Sequence, residues 1–267
     1  MMNRDSNAYT FLFATLMVLV VASSLAFTAT SLKAKQDENV RKEKMQNILS
    51  TIGIQTDRDQ AEVLYKQYIT QELALVKDGS NDESVDAFKI QLSTETKKPE
   101  DQQRFPLYIA KVETSQYYIV PLRGAGLWDA IWGYLALEED MTTVKGAVFD
   151  HKGETAGLGA EITQGWFQDR FAGEKVYDPN GALVGINVSK TNNDPQGLDK
   201  EDHEVDAISG ATITGDGVTA MISERLAHYT PYFDSKKMTV TDPSEAPSDL
   251  LPNSEESSEE TTIAYQN

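Results

Sequence analysis

The hydropathy pattern opens with a long run that contains no charge. From Ser6 to Leu32 every side chain is uncharged, and its centre reads "FLFATLMVLVVASSLAF". A bilayer core of about 30 Å is crossed by roughly 20 apolar helical residues, which Phe11 to Thr30 supply. The pattern predicts an uncleaved transmembrane helix over 10–31, behind a cytoplasmic N-terminal stub of residues 1–9. A cleaved signal peptide is the competing reading, with "SLA" ending at Ala26 as its small-residue site. The run is longer than a signal core of about 7–15 residues.

Beyond the span the periodicity becomes helical. "ENVRKEKMQNILSTIGI" places Met45, Ile48, Leu49 and Ile52 on one face and stops at Gly53. "DRDQAEVLYKQYITQELALV" reads as a second helix, opened by Asp57 or Asp59. From Pro106 the texture changes to short β-branched and aromatic runs bounded by glycine or acids. "LYIAKVE", "YYIVPL", "WGYLALEED", "TTVKGAVFD" and "LVGINVSK" read as strands of a mainly antiparallel sheet. "GVTAMISERLAHY" spaces Val218, Met221, Ile222 and Leu226 as one apolar helix face, starting near Asp216 or Gly217. The fold class is α+β, with one domain over residues 37–238. Residues 239–267 carry seven acids and no base among Pro and Ser. Such a segment buries too little apolar surface to offset its ordering entropy, so it reads as a disordered acidic tail.

Charge and composition then exclude whole classes. The 267-residue chain has 24 basic and 42 acidic side chains, a net charge of −18. It lacks the basic footprint of a nucleic-acid surface. It has no cysteine, which excludes disulfides, thiolate metal sites and cysteine nucleophiles within the chain. Its three histidines, His151, His203 and His228, have no metal-ligand spacing, so no metal site and no catalytic acid–base set is expected. Positive charge after the span (Lys33, Lys35, Arg41, Lys42, Lys44) exceeds that before it. The positive-inside rule taken alone would place the domain in the cytoplasm.

The densest chemistry lies at "DAISGATITGDGV", Asp206 to Val218. On spacing alone this is a glycine turn into a helix, with Thr214 or Asp216 as cap. The same geometry makes an anion site, because a helix start offers unpaired N–H groups and the positive end of its dipole. A hydroxyl here would carry a phosphate ester in a favourable field.

"DAISGAT" resembles the flavinylation motif, Asp, two residues, then Ser/Thr-Gly-Ala-Thr/Ser. "RGAGLW" and "HKGETAGLG" resemble two further segments of the C subunit of the sodium-translocating NADH:quinone oxidoreductases. The three occur in the family's order, and the resemblance runs from the N-terminal span to about Phe233. It implies FMN joined through its phosphate to Thr212, with Asp206, Ser209, Gly210 and Ala211 completing the motif. It implies that Gly126, Leu127 and Trp128, with Glu154, Thr155, Leu158 and Gly159, surround the cofactor. Gly124, Gly126, Gly157 and Gly159 would permit close backbone approach, and Leu127, Trp128 and Leu158 apolar walls. Ala156 stands where the family has proline, which predicts a looser loop.

The resemblance further implies an electron carrier between NADH oxidation and quinone reduction, within a complex of six subunits that exports sodium. A separate flavin transferase would load the FMN. The chain would be a single-pass protein of the inner (cytoplasmic) membrane with its FMN domain on the outer, periplasmic side. Three other readings stay open: the homologous subunit of the ferredoxin-linked complex, another membrane-anchored flavoprotein, and a non-redox scaffold.

Overall fold

The computed structural model describes residues 6–241. Residues 1–5 of the expected stub and 242–267 of the expected tail lie outside that range.

Helix α1 runs unbroken from Asn7 to Thr51. Sequence reading treats the span and the following amphipathic segment as two elements; the structure joins them. No glycine or proline interrupts residues 31–51, and Lys33–Asp37 (3.4 Å) and Lys42–Glu38 (2.9 Å) are paired one turn apart along the connecting stretch. Ser6 caps the start by accepting from the Tyr9 amide (3.3 Å). Gly53, at φ +83°, ends the helix as expected, and the Ile52, Gly53 and Ile54 amides donate back to the last turn.

Helix α2 covers only Ala61–Tyr68; the chain then extends as β1, Ile69–Leu75. This corrects the single helix expected over 57–76. Asp57 does open the turn, accepting from the amides of Asp59 and Gln60. The half "ITQELAL" satisfies its backbone by antiparallel pairing with β2, Phe105–Val112, so sheet pairing overrides a helical-looking pattern. β3 (Ser115–Ala125), β4 (Ala130–Leu137) and β5 (Val144–His151) complete a sheet in the order β1-β2-β3-β4-β5, each pair antiparallel. "LVGINVSK" does not join it. Only Asn187–Val188 (β6) is a strand, paired parallel with Glu204–Val205 (β7), because Gly185 at φ +72° turns the chain just before it. Single helical turns α3 (Leu92–Glu95) and α4 (Gly165–Gln168) precede α5 (Thr212–Ala227) and α6 (Thr230–Thr241).

Both faces of the sheet are covered, so β2 and the middle of β3 read as near-continuous apolar runs. On one face Met45, Ile48, Leu49 and Ile52 of α1 and Tyr65 of α2 pack on Tyr108, Tyr117, Ile119 and Ala136. On the other, Val218, Met221, Ile222 and Leu226 of α5 meet Leu107, Ile109, Val120, Leu122 and Leu135. Gly124 and Gly217 set the spacing of α5 on β3. A Cβ on Gly124 would stand 2.8 Å from Met221 Cβ, and one on Gly217 would collide with the Ala125 carbonyl. This close seat carries the start of α5 to the turn after β3.

Candidate functional site

Three chain segments meet at one end of the sheet: the β3–β4 turn, the loop after β5, and the start of α5. They enclose a cavity of about 240 Å³, lined by Leu127, Glu154, Thr155, Leu158 and Gly159 from the first two and by Gly210 to Thr214 from the third.

Helix α5 begins at Thr212, four residues earlier than its apolar spacing suggests, because "TITG" supplies the first turn. Neither Thr214 nor Asp216 is the cap. The N-cap is Ala211, with no side-chain acceptor, so the first-turn amides point outward without a protein cap. Gly210 makes this turn possible: its φ is +72°, and a Cβ there would meet Leu158 Cδ2 at 2.7 Å.

The hydroxyls of the motif differ sharply. Thr214 is 1 % exposed and donates to Glu154 Oε2 at 2.6 Å. Thr212 is exposed at the cavity rim, and no carboxylate or imidazole among the described residues bonds its hydroxyl. Ser209 is exposed but lies outside the cavity lining.

Glu154 is buried and ties the walls together. Its Oε1 accepts from the Trp128 amide (3.0 Å), its Oε2 from Thr214, and its own amide donates to His151 Nδ1 (3.1 Å). Trp128 Nε1 donates to Thr155 Oγ1 (3.2 Å), bracing the turn against the loop. The loop carrying Ala156 is held without proline. The Leu158 and Ala160 amides donate to the Thr155 carbonyl, and the Gly157 amide donates to Glu161 Oε1 (3.1 Å). Around the mouth Leu127, Trp128, Leu158 and Ile213 leave large apolar surface in solvent.

The uncapped start of α5 suits a phosphate, and the exposed Leu127 and Leu158 suit the face of a flat apolar ring. Those are the two ends of an FMN molecule. The comparisons with known proteins agree. Residues 126–227 match the domain family described as FMN-binding domain. Over 81 % of its length the chain is 31 % identical to the C subunit of the Na(+)-translocating NADH-quinone reductase of Haemophilus ducreyi, covering 88 % of that protein. It is 30 % identical to the C subunit from Pseudomonas aeruginosa, over 83 % of this chain and 92 % of the relative. The chain belongs to the family of Na(+)-translocating NADH-quinone reductase C subunits. A crystal structure of the Parabacteroides distasonis C subunit superposes with a TM-score of 0.68 at 33 % identity, covering 76 % of this chain and 96 % of that one.

The residues singled out from sequence divide into those that line the cavity and those that do not. Leu127, Glu154, Thr155, Leu158, Gly159, Gly210, Ala211 and Thr212 converge on the cavity. Gly126 and Trp128 fall outside its lining, Trp128 exposed at the mouth. A Cβ on Gly126 would lie 2.5 Å from Glu154 Oε1, so this glycine admits the carboxylate rather than the cofactor. Gly124 serves α5 packing, and a Cβ on Gly157 would meet open space. Asp206 does not line the cavity. It is buried, its Oδ1 accepts from the Asp194 amide (3.1 Å), and its carbonyl accepts from Arg170 Nη1 (3.2 Å). Ile213 and Thr214 also line the cavity, and no local pattern in the sequence separates them from ordinary helix positions.

Proposed function

We propose that this chain is the electron-carrying flavoprotein subunit of a sodium-pumping NADH:quinone oxidoreductase, with FMN joined by a phosphoester to Thr212 Oγ1. The observation that carries this reading is the contrast between two hydroxyls two residues apart. Thr214 is buried and committed to Glu154, whereas Thr212 is exposed on the first turn of α5 beside uncapped amides. A phosphate there gains about 0.3–1 kcal/mol from the helix terminus, and more where partly buried. FMN supplies reversible electron transfer when bound. The chain's residues do the rest: α5 holds the phosphate, Leu127 and Leu158 exclude water from the ring, and Glu154 fixes the turn and loop that carry them.

No carboxylate or imidazole among the described residues is hydrogen-bonded to the Thr212 hydroxyl, and a threonine hydroxyl is a weak nucleophile without a base. A separate transferase therefore makes the ester. The Thr212 oxygen displaces AMP from the FMN phosphorus of FAD with Mg²⁺, and the hydroxyl proton leaves to the transferase. The Asp206 carboxylate braces the preceding loop by accepting from the Asp194 amide. α1 anchors the chain in the inner membrane, the domain lies on the outer side, and the remaining members of a complex of six subunits supply donor and acceptor.

Loading tests this directly. Protein made with the transferase should keep a visible flavin band after denaturation, and Thr212→Val should lose it. Pure apoprotein mixed with FAD and Mg²⁺ should stay unflavinylated; spontaneous loading would contradict the transferase requirement.

A further inference from the structure

A second and larger cavity, about 850 Å³, lies on the α1 side of the sheet, apart from the flavin loops. Pro121 of β3 with Trp132 and Tyr134 of β4 form an apolar floor. Four cations line the groove, Arg41, Lys44, Lys89 and Arg123, against one carboxylate, Asp37. Arg41 pairs with Glu62 (2.5 Å) and Lys89 with Asp86 (2.9 Å). Lys44 donates to the Phe88 carbonyl (2.5 Å), and burial pulls its amine down to about 8. The half-buried Arg123 side chain makes no hydrogen bond or ion pair among the described residues. Lys44 and Arg123 thus lack a hydrogen-bonded carboxylate there, in a chain whose net charge is −18.

An apolar floor ringed by cations suits a peptide that carries acids next to apolar side chains. The sequence holds such a segment beyond the described residues. "EESSEETTIAY", 255–265, sets Glu255, Glu256, Glu259 and Glu260 ahead of Ile263 and Tyr265, and residues 242–267 contain no base. The chain also leads back to the groove. Just before α6, the Tyr229 hydroxyl donates to the carbonyl of Pro106 (2.9 Å), and Pro106 lines the groove. The 12 residues of α6 carry the chain away by about 18 Å at ~1.5 Å per residue. The sheet adds about 10 Å of thickness. Glu255 follows Thr241 by 14 positions, which extended chain spans over about 46 Å. Pro243, Pro247 and Pro252 favour that extended form.

We propose that residues 255–265 of the chain's own acidic tail dock in this groove. The four glutamates meet Arg123, Lys44, Lys89 and Arg41, and Ile263 and Tyr265 pack on Pro121, Trp132 and Tyr134. Guanidinium takes a carboxylate in a two-bond fork, which Arg123 is free to make. The tether raises the local concentration of the segment to the millimolar range, so weak surface pairs suffice. A segment too polar to fold alone orders when a preformed surface supplies the apolar contact. Docked, it bridges Arg41 of α1 to Arg123 of β3 and stiffens the join between the anchor helix and the domain. This holds whether or not Thr212 carries FMN.

Disulfide trapping in the full chain tests the proposal cleanly, because the chain has no native cysteine. Ser258→Cys marks the acidic segment, and Ser93→Cys marks the groove wall. A disulfide forms only when the two β-carbons approach to about 4 Å. The control pairs Ser258→Cys with Ser80→Cys, on an exposed turn whose Gly79 packs against Tyr232 of α6, nearer the root of the tail. Oxidation by copper–phenanthroline in non-ionic detergent, read on non-reducing gels, should close the groove pair at least tenfold faster than the control. The rate should not change on tenfold dilution of the protein. It should fall to the control rate in 1 M NaCl, where charges are screened beyond about 3 Å, and in the added double variant Arg123→Gln, Lys89→Gln. The salt arm alters no residue, so it decides the matter even where that variant fails to fold. Equal rates for the two pairs, a disulfide joining two chains instead of one, or a groove rate that ignores salt would overturn the docking.

Discussion

At the scale of residues, the site depends on one conformation that only glycine adopts cheaply. Gly210 at φ +72° sets the turn before Thr212. Gly210→Ala should cost about 1–2 kcal/mol for the left-handed backbone, and more from its contact with Leu158. Urea denaturation of the apoprotein reads the loss; an unchanged midpoint would contradict the turn. Thr214→Val should destabilise by about 1–3 kcal/mol, since it leaves a buried Glu154 oxygen unpaired, while flavin loading at Thr212 persists. Loss of flavin with an intact fold would move the acceptor to Thr214. Much of this is legible in the sequence, because Ser-Gly-Ala-Thr ahead of an apolar helix signals a tight turn by composition alone. What is not legible is which hydroxyl faces out. Burial of Thr214 depends on Glu154, 60 residues away, and on Gly159 being small enough to admit both side chains.

Among elements, sequence and structure part where local pattern and pairing compete. The run 69–75 carries helical spacing but lies on the free edge of β2, and backbone pairing decides. The run 183–190 carries strand residues, but Gly185 and a two-residue parallel partner leave no room for a ladder. The central strands are legible because their apolar runs are long and bounded by turns. One elemental feature makes a pH prediction. The segment after α4 is pinned by Glu174, whose Oε1 accepts from Lys200 (3.1 Å) while Oε2 has no partner among the described residues. Burial raises this carboxyl from 4.5 to about 7. The folded state thus holds the proton more tightly than the unfolded chain, so this group's contribution is full below about pH 4.5 and is lost as pH rises through 7. Glu174→Gln should flatten that part of the decline in thermal midpoint between pH 5 and pH 8. An identical pH slope in both proteins would contradict it.

For the whole molecule, the unbroken α1 sets the orientation of the flavin site. Residues 37–44 of α1 lie beside Arg123 and Trp132, near the flavin end of the sheet, whereas Thr51 lies against Gly146 at the other end. The apolar half of α1 therefore leaves the domain at the flavin end of the sheet, the end where Leu127, Trp128, Leu158 and Ile213 are exposed. Because the chain has no native cysteine, Ser80→Cys, on an exposed turn, reports its side. An impermeant thiol reagent should label it in spheroplasts; labelling only after membrane rupture would place the domain in the cytoplasm, as the flanking lysines taken alone would. Removing residues 1–33 should release a soluble domain that still accepts FMN when exported with its transferase but does not restore quinone reduction. The central claim is tested most directly on the full chain isolated from membranes. Trypsin should free the peptide Glu201–Arg225, and fragmentation of that peptide should place one FMN on Thr212. An unmodified peptide, or FMN on Ser209 or Thr214, would contradict the account.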